Sequence, residues 1–247
     1  MRAIITAAGR GSRLASSSED APKTLLPCGS ETILATIMRN FATAGIAEFI
    51  VVVGFQGETI VEYLAARANL GFAVTIVRNA EWRRGNGISV HRASTVLGPD
   101  EEVLLSMADH LVSPDALRSM ITAPPGRNRL LVDSRIALVH DLDDATKVRV
   151  DGKQITQIGK EIAEFNAVDC GIFRLTPRYF EAMGRQIARG HESITEGVRE
   201  LIAAEDFEAV PIPPSSNWID IDTAAAYEHA VANLARYTRD GTASVRG

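Results

Sequence analysis

Arg2-Ala3-Ile4-Ile5-Thr6-Ala7-Ala8-Gly9-Arg10-Gly11-Ser12-Arg13-Leu14 is the stretch that decides the fold of this chain. A short apolar, β-prone run ends in small residues and two glycines, the pattern of a buried strand opening into a tight loop. Backbone N–H groups in such a loop can close on an anion, because glycine puts no side chain in the way. A dinucleotide-binding loop requires a third small residue where Leu14 stands, and a P-loop requires Gly-Lys followed by Ser or Thr, which this chain lacks. What distinguishes the loop is Arg13 after the glycines and Lys23 in Pro22-Lys23-Thr24-Leu25-Leu26-Pro27. Residues 1–30 hold Arg2, Arg10, Arg13 and Lys23 against Glu19 and Asp20, a local excess of +2 within a chain of net charge -5. A triphosphate needs such a patch, and arginine can bind it bidentately. A tight turn with solvated charges would read the same on this stretch alone.

Outward from the loop, strands and helices alternate. Residues 3–6, 48–53, 73–77 and 103–107 read as strands, and 32–44, 58–68 and 88–96 as amphipathic helices. Continuous Ile/Val-rich strands between helices predict an α/β fold with a Rossmann-like, mostly parallel central sheet covered by helices on both faces. After about residue 125 the rhythm changes. Strands are expected over 130–133, 146–150, 154–158, 169–175 and 207–212, with a hairpin signal at Asp151-Gly152. Helices are expected over 177–188, 194–204 and 223–237. These imply a small β-rich subdomain at about 130–175, one domain over 1–238, and a flexible tail over 239–247.

The 247 residues are 46% hydrophobic, 23% charged and 6% aromatic, ordinary values for one globular domain. Mild acidity gives no reason to bind nucleic acid or anionic membranes. The apolar runs fall short of the ~20 residues a membrane span needs. Cys28 and Cys170 form no metal-spacing pair, so a reducing cytoplasm is the expected location.

Four further motifs carry chemistry. In Arg84-Gly85-Asn86-Gly87-Ile88-Ser89, Asn86 offers amide donors and acceptors, the glycines permit close contact with a base or ribose, and Ser89 could cap a helix or touch a ligand. The strand over 103–107 runs into Asp109-His110, placing a carboxylate at a strand's C-terminal end, where open sheets bind ligands. Lys147 and Lys160 could project towards a phosphate or simply be solvated, and Asp169 could hold polyol hydroxyls or an amine, or cap a strand. Trp218-Ile219-Asp220-Ile221-Asp222-Thr223 places two carboxylates at alternate positions before the last helix, with Thr223 or Asp222 as its N-cap.

Ala7-Ala8-Gly9-x-Gly11-x-Arg13-Leu14 with Pro22-Lys23-x-Leu25-Leu26 resembles the signature of the nucleotidyltransferases that make sugar, polyol and choline nucleotides. Gly-Asn-Gly followed by Ser resembles the inositol-1-phosphate cytidylyltransferases within that family. The resemblance implies a loop of Ala7, Ala8, Gly9, Gly11 and Ser12 around the NTP phosphates, with Arg13 and Lys23 stabilising the α-phosphate transition state. It implies base reading by Gly85, Asn86, Gly87 and Ser89, and acceptor binding by Lys147 in the hairpin region; His110 and Asp169 are the further acceptor-binding candidates, with a structural role open for each. It implies Mg²⁺ on Asp109 and Asp222, with Asp220 a nearby second choice. The expected reaction joins CTP to a small phosphomonoester, myo-inositol 1-phosphate being the best match, and releases pyrophosphate. Phosphocholine, 2-aminoethylphosphonate and a sugar 1-phosphate with another NTP stay open as substrates, as does a homodimer. A non-catalytic nucleotide-binding regulator is the rival from another class; intact Arg13, Lys23, Asp109 and Asp222 argue against it.

Overall fold

A computed structural model of the chain describes residues 1–11 and 21–239. Ser12, Arg13 and most of the expected tail lie outside the described residues. The strands are β1 (Arg2–Ala7), β2 (Pro27–Cys28), β3 (Glu31–Thr32), β4 (Glu48–Val53), β5 (Ala73–Arg78), β6 (Val103–Met107), β7 (His110–Val112), β8 (Asn128–Asp133), β9 (Lys147–Asp151), β10 (Gln154–Gly159), β11 (Ala167–Leu175), β12 (Phe207–Pro211) and β13 (Trp218–Asp220). The helices are α1 (Ile33–Ala44), α2 (Gly57–Ala65), α3 (Asn86–Ala93), α4 (Pro114–Thr122), α5 (Pro177–Ala188), α6 (Ile194–Ala203), α7 (Ala224–Ala232) and α8 (Ala235–Thr238).

Among the described residues, nine strands form one sheet in the order β5-β4-β1-β6-β11-β8-β12-β10-β9. The α/β reading holds, with one refinement: the sheet is mixed. β5, β4, β1 and β6 are parallel, as expected. β11 then runs antiparallel to both β6 and β8, and the β9–β10 hairpin extends the same sheet antiparallel to β12. The apolar runs of the second half resemble those of the first, so hydropathy alone could not report the change of direction.

Helices cover both faces, and strand alternation divides the core between them. Ile5, Val51 and Leu104 pack with Ile37 and Phe41 of α1 and Leu117 of α4. Ile4, Ile50 and Leu105 pack on the other face with Tyr179 and Met183 of α5 and Val198 of α6. Each such side chain contributes about 1.5–3 kcal/mol by leaving water. α1 starts where its cap chemistry says it should. The Thr32 hydroxyl accepts a hydrogen bond from Ala35 N at 3.2 Å, and the helix stops at Gly45.

Other differences are local. α4 went unread, although Ser113-Pro114 at its start and buried Ala116, Leu117 and Met120 supply the signal. The expected helix over 223–237 is two helices, because Asn233 leaves helical geometry at its C-cap. The helix expected over 88–96 begins at Asn86 and tightens into a 3₁₀ turn over Ser94–Val96. The hairpin turn is Gly152-Lys153, one residue later than expected. Short β7 and β13 form a separate antiparallel ribbon that pairs Asp220 with His110.

Candidate active-site cleft

β4 and β5 lie on one side of β1 and β6 on the other, so the order of chain connection reverses between β1 and β6. The carboxyl ends of strands at such a point form the usual ligand crevice of an open α/β sheet. A cleft of about 590 Å³ opens there, lined in part by Gly11, Asn86, Asp109, His110, Asp169, Trp218, Asp220 and Asp222.

Lys23 lies behind the cleft wall, bridging two of the carboxylates that line it. It begins a 3₁₀ turn after Pro22, and its side chain is 7% exposed. Its ammonium donates to Asp109 Oδ2 at 3.0 Å and to Asp222 Oδ1 in a closer contact. The site thus joins three parts of the chain. Asp109 follows β6, and its carbonyl accepts from Ile221 N at 2.9 Å, which ties it to the segment carrying Asp220 and Asp222. Thr223 caps α7 by accepting from Ala226 N at 3.1 Å, and Asp222 turns to Lys23. Burial works against the charge on Lys23, but Asp109 and Asp222 outweigh it and hold the ammonium above its usual range. Burial likewise opposes ionisation of Asp109, yet Lys23 and His110 keep it well below the usual carboxylate range.

His110 leans on the same cluster. Its Nδ1 lies 2.8 Å from Asp109 Oδ1 and its Nε2 lies 3.8 Å from Asp220 Oδ2. Burial disfavours the imidazolium, but Asp220, Asp109 and Asp169 together push it up to about 9. Asp220 is pushed up to about 6 by burial, against the pull of His110, and its buried Oδ1 has no hydrogen-bond partner. The His110 ring sits against Gly171, whose φ is +75° and where a Cβ would lie 2.3 Å from a ring carbon. Gly171→Ala is therefore expected to cost roughly 2–4 kcal/mol, from backbone strain and overpacking, read as a fall in melting temperature.

Asp169 lies at the β11 end nearest the cleft and accepts from Gly171 N at 2.6 Å. Burial pushes its carboxyl up to about 6, opposed by that N–H and by His110. A folded-state value above the unfolded one, about 3.9, means that protonation favours folding. The resulting stability is full below about pH 4 and is lost as pH rises through about 6. Asp169→Asn is expected to stabilise the fold by about 1–2 kcal/mol at pH 7.5 and by little at pH 4. Melting curves at the two pH values check this.

Asp133 and Arg135 carry no role in the sequence reading, and Trp218 enters it only as part of the Asp220–Asp222 motif. Buried Asp133 ends β8 and accepts from Arg135 Nε at 2.9 Å and from Trp218 Nε1 at 3.0 Å. Arg135 also donates to the Pro214 and Ser216 carbonyls, at 2.9 and 3.0 Å, fastening the segment that leads into β13. The Trp218 ring lies parallel to His110, with centroids 6.1 Å apart and 7° between planes. A carboxylate at a strand end, the signal used for Asp109, also marks Asp133.

The other expected residues separate into those facing the cleft and those that do not. Ala7 and Ala8 are buried, the Ala8 carbonyl accepting from Phe55 N at 3.0 Å, whereas Gly9 is exposed. Asn86 lines the cleft, with its Oδ1 accepting from Ile194 N at 3.0 Å. Gly87 N donates to the Glu192 carbonyl at 2.8 Å and Gly85 N to a Glu192 carboxylate oxygen at 3.2 Å, so the close backbone approach here is to the segment before α6. Ser89 caps nothing; its buried hydroxyl pairs with Asn79 Nδ2 at 2.9 Å inside the protein. Lys147 donates to the Asp143 and Lys160 carbonyls at 3.3 and 3.0 Å and is not among the cleft-lining residues. Lys160, on the same hairpin, does line the cleft, paired with Asp144 at 2.6 Å.

A mixed α/β sheet with Gly11 packed on a lysine–carboxylate cluster at its crevice defines a class, and residues 3–136 match the MobA-like NTP transferase domain. The chain belongs to that family. It is 30% identical over 223 residues to the bifunctional IPC transferase and DIPP synthase of Rubrobacter xylanophilus, covering 90% of this chain and 49% of that protein. The chain thus spans about half the length of such relatives. It is 28% identical to the 2-aminoethylphosphonate cytidylyltransferase of Lancefieldella rimae, covering 95% of this chain and 94% of that one. The fold is shared with the inositol-1-phosphate CTP transferase of T. maritima (TM-score 0.83, 24% identity, 97% and 98% of the two chains). No helix among the described residues is long and apolar enough to cross a membrane.

Proposed function

We propose that this domain is a Mg²⁺-dependent cytidylyltransferase that joins CTP to a small phosphomonoester, with myo-inositol 1-phosphate as the preferred acceptor. The observation that carries this reading is the Lys23 ammonium held by Asp109 and Asp222 at the crevice below the glycine loop. An oxygen of the acceptor phosphate attacks the α-phosphorus of CTP. A new P–O bond forms, the bond to the β-phosphate bridging oxygen breaks, and pyrophosphate leaves with that electron pair. The attacking oxygen already carries charge, so no side chain need act as a base. Lys23, with Arg13 from outside the described residues, stabilises charge that grows on the phosphates. Asn86 faces the base, while His110 and Asp169 face the acceptor. Lys147 keeps only an indirect part, through the backbone it holds beside Lys160.

The residues present suit a hard divalent cation. Asp220 Oδ1 is buried with no hydrogen-bond partner, and Asp109, His110 and Asp220 offer ligand atoms within 4.8 Å of one another. Carboxylate oxygens are what Mg²⁺ takes, and Asp109 and Asp222, which converge on one ammonium, would hold it, with Asp220 adjacent and His110 beside them. When bound, the ion would neutralise triphosphate charge and orient the α-phosphate. Free, buried Cys28 and Cys170 suit the cytoplasm proposed as its location.

A second reading, 2-aminoethylphosphonate as acceptor, is favoured by one observation: the relative of that name aligns over nearly its whole length. Pyrophosphate release, measured with Mg²⁺ over four NTPs crossed with inositol, choline and sugar phosphates and 2-aminoethylphosphonate, tests both. CTP with inositol 1-phosphate is expected to give the highest kcat/KM. Preference for the phosphonate would install the second reading. Nucleotide binding without release on any acceptor would favour a regulator instead.

A further inference from the structure

Asn86 is held so that only one end of its amide can meet a ligand. It is exposed, it opens α3 and it lines the cleft. Its Oδ1 accepts from Ile194 N, at the start of α6, at 3.0 Å. We propose that this lock makes Asn86 the residue that selects cytosine over uracil, its side-chain NH₂ donating to the N3 and O2 edge of the base. The inference rests on the proposed function, which sets the base against Asn86.

A backbone N–H can only donate, and the first N–H groups of a helix have no carbonyl partner within it. Turning the Asn86 amide over would set its NH₂ against the Ile194 N–H, donor against donor, and leave that N–H without an acceptor. The Nδ2 group is thus the free end, and it makes no hydrogen bond among the described residues. The backbone on either side fastens the lock. Gly87 N donates to the Glu192 carbonyl at 2.8 Å, Gly85 N to Glu192 Oε2 at 3.2 Å, and Arg84 Nε to the same carboxylate at 3.0 Å. A Cβ at Gly87 would lie 2.7 Å from the Glu192 carbonyl oxygen and one at Gly85 nearer still, so the approach that holds Asn86 needs a glycine on each side of it. A group that only donates tells the two pyrimidines apart. Cytosine offers N3 and O2 as adjacent acceptors, whereas uracil carries a hydrogen on N3 and would set donor against donor. Donors left unpaired against a bound base lower affinity about tenfold or more.

Calorimetric titration of the full chain with CTP and with UTP, in Mg²⁺ and without an acceptor, tests this. Wild type is expected to bind CTP at least about tenfold more tightly than UTP. Asn86→Asp keeps an oxygen for Ile194 N and turns a second acceptor towards the base. Negative charge is favoured at the starts of α3 and α6, so the variant is expected to fold. Its ratio of CTP to UTP affinity is expected to fall at least about tenfold, and the added charge, acting on both triphosphates alike, cancels in that ratio. Asn86→Ala is expected to weaken CTP binding about fivefold or more and to leave UTP binding within about twofold. An unchanged ratio in Asn86→Asp, or equal losses for both nucleotides in Asn86→Ala, overturns the inference, and a wild-type preference for CTP then leaves the proposed function standing. Equal affinity of wild type for the two nucleotides overturns both.

Discussion

Asp109→Ala is expected to reduce kcat for pyrophosphate release at least about 100-fold at saturating CTP, with the protein still folded. Three interactions converge on this residue, and only two involve the carboxylate. Oδ2 accepts from Lys23 and Oδ1 faces His110, while the backbone carbonyl holds Ile221 N. Alanine removes the first two and keeps the third, so the link between β6 and the β13 segment survives. Lys23 retains Asp222, and His110 retains Asp220. The stability loss is thus expected to stay near about 1–3 kcal/mol. Asp109→Asn keeps the shape and removes the charge; a comparable loss of turnover in both variants would identify charge as the requirement. Full activity in Asp109→Ala would remove Asp109 from the reaction.

Lys23→Ala is expected to lower kcat by about 100-fold or more while shifting KM for CTP much less. Lys23 is packed against Gly11 and held by two carboxylates at the cleft, the position from which the proposed function has it meet the phosphates. A charge used where negative charge develops acts on kcat; one used equally in ground and transition states would appear in KM alone. A change confined to KM would contradict the assigned role.

The features legible in the sequence were those carried by neighbouring residues. The apolar run 3–6, the glycines after it, Asp109 after β6 and Thr223 before α7 announce themselves within a few positions. What stayed hidden depends on pairing between distant segments. Trp218 meets His110 only because β13 pairs with β7. Gly87 meets Glu192 only because α3 packs near α6, and no local pattern distinguishes that use of a glycine from a ligand loop. Lys147 and Lys160 lie on one hairpin with the same charge and reach; the folded loop turns the first to backbone carbonyls and the second to the cleft. The reversal of β11 was hidden because a strand buried on both faces has the same hydropathy in either direction.

The contact between Lys23 and Asp222 spans 199 positions of the chain. During synthesis the glycine loop, Lys23 and Asp109 all leave the ribosome long before Asp222 does. In that interval the lysine has at most half of its cage, and the ribbon that fixes Asp220 against His110 lacks one strand. Contacts this distant in sequence close late and slowly. The lysine–carboxylate cluster is therefore complete only once β13, the last strand of this domain's described residues, has been made and paired with β7.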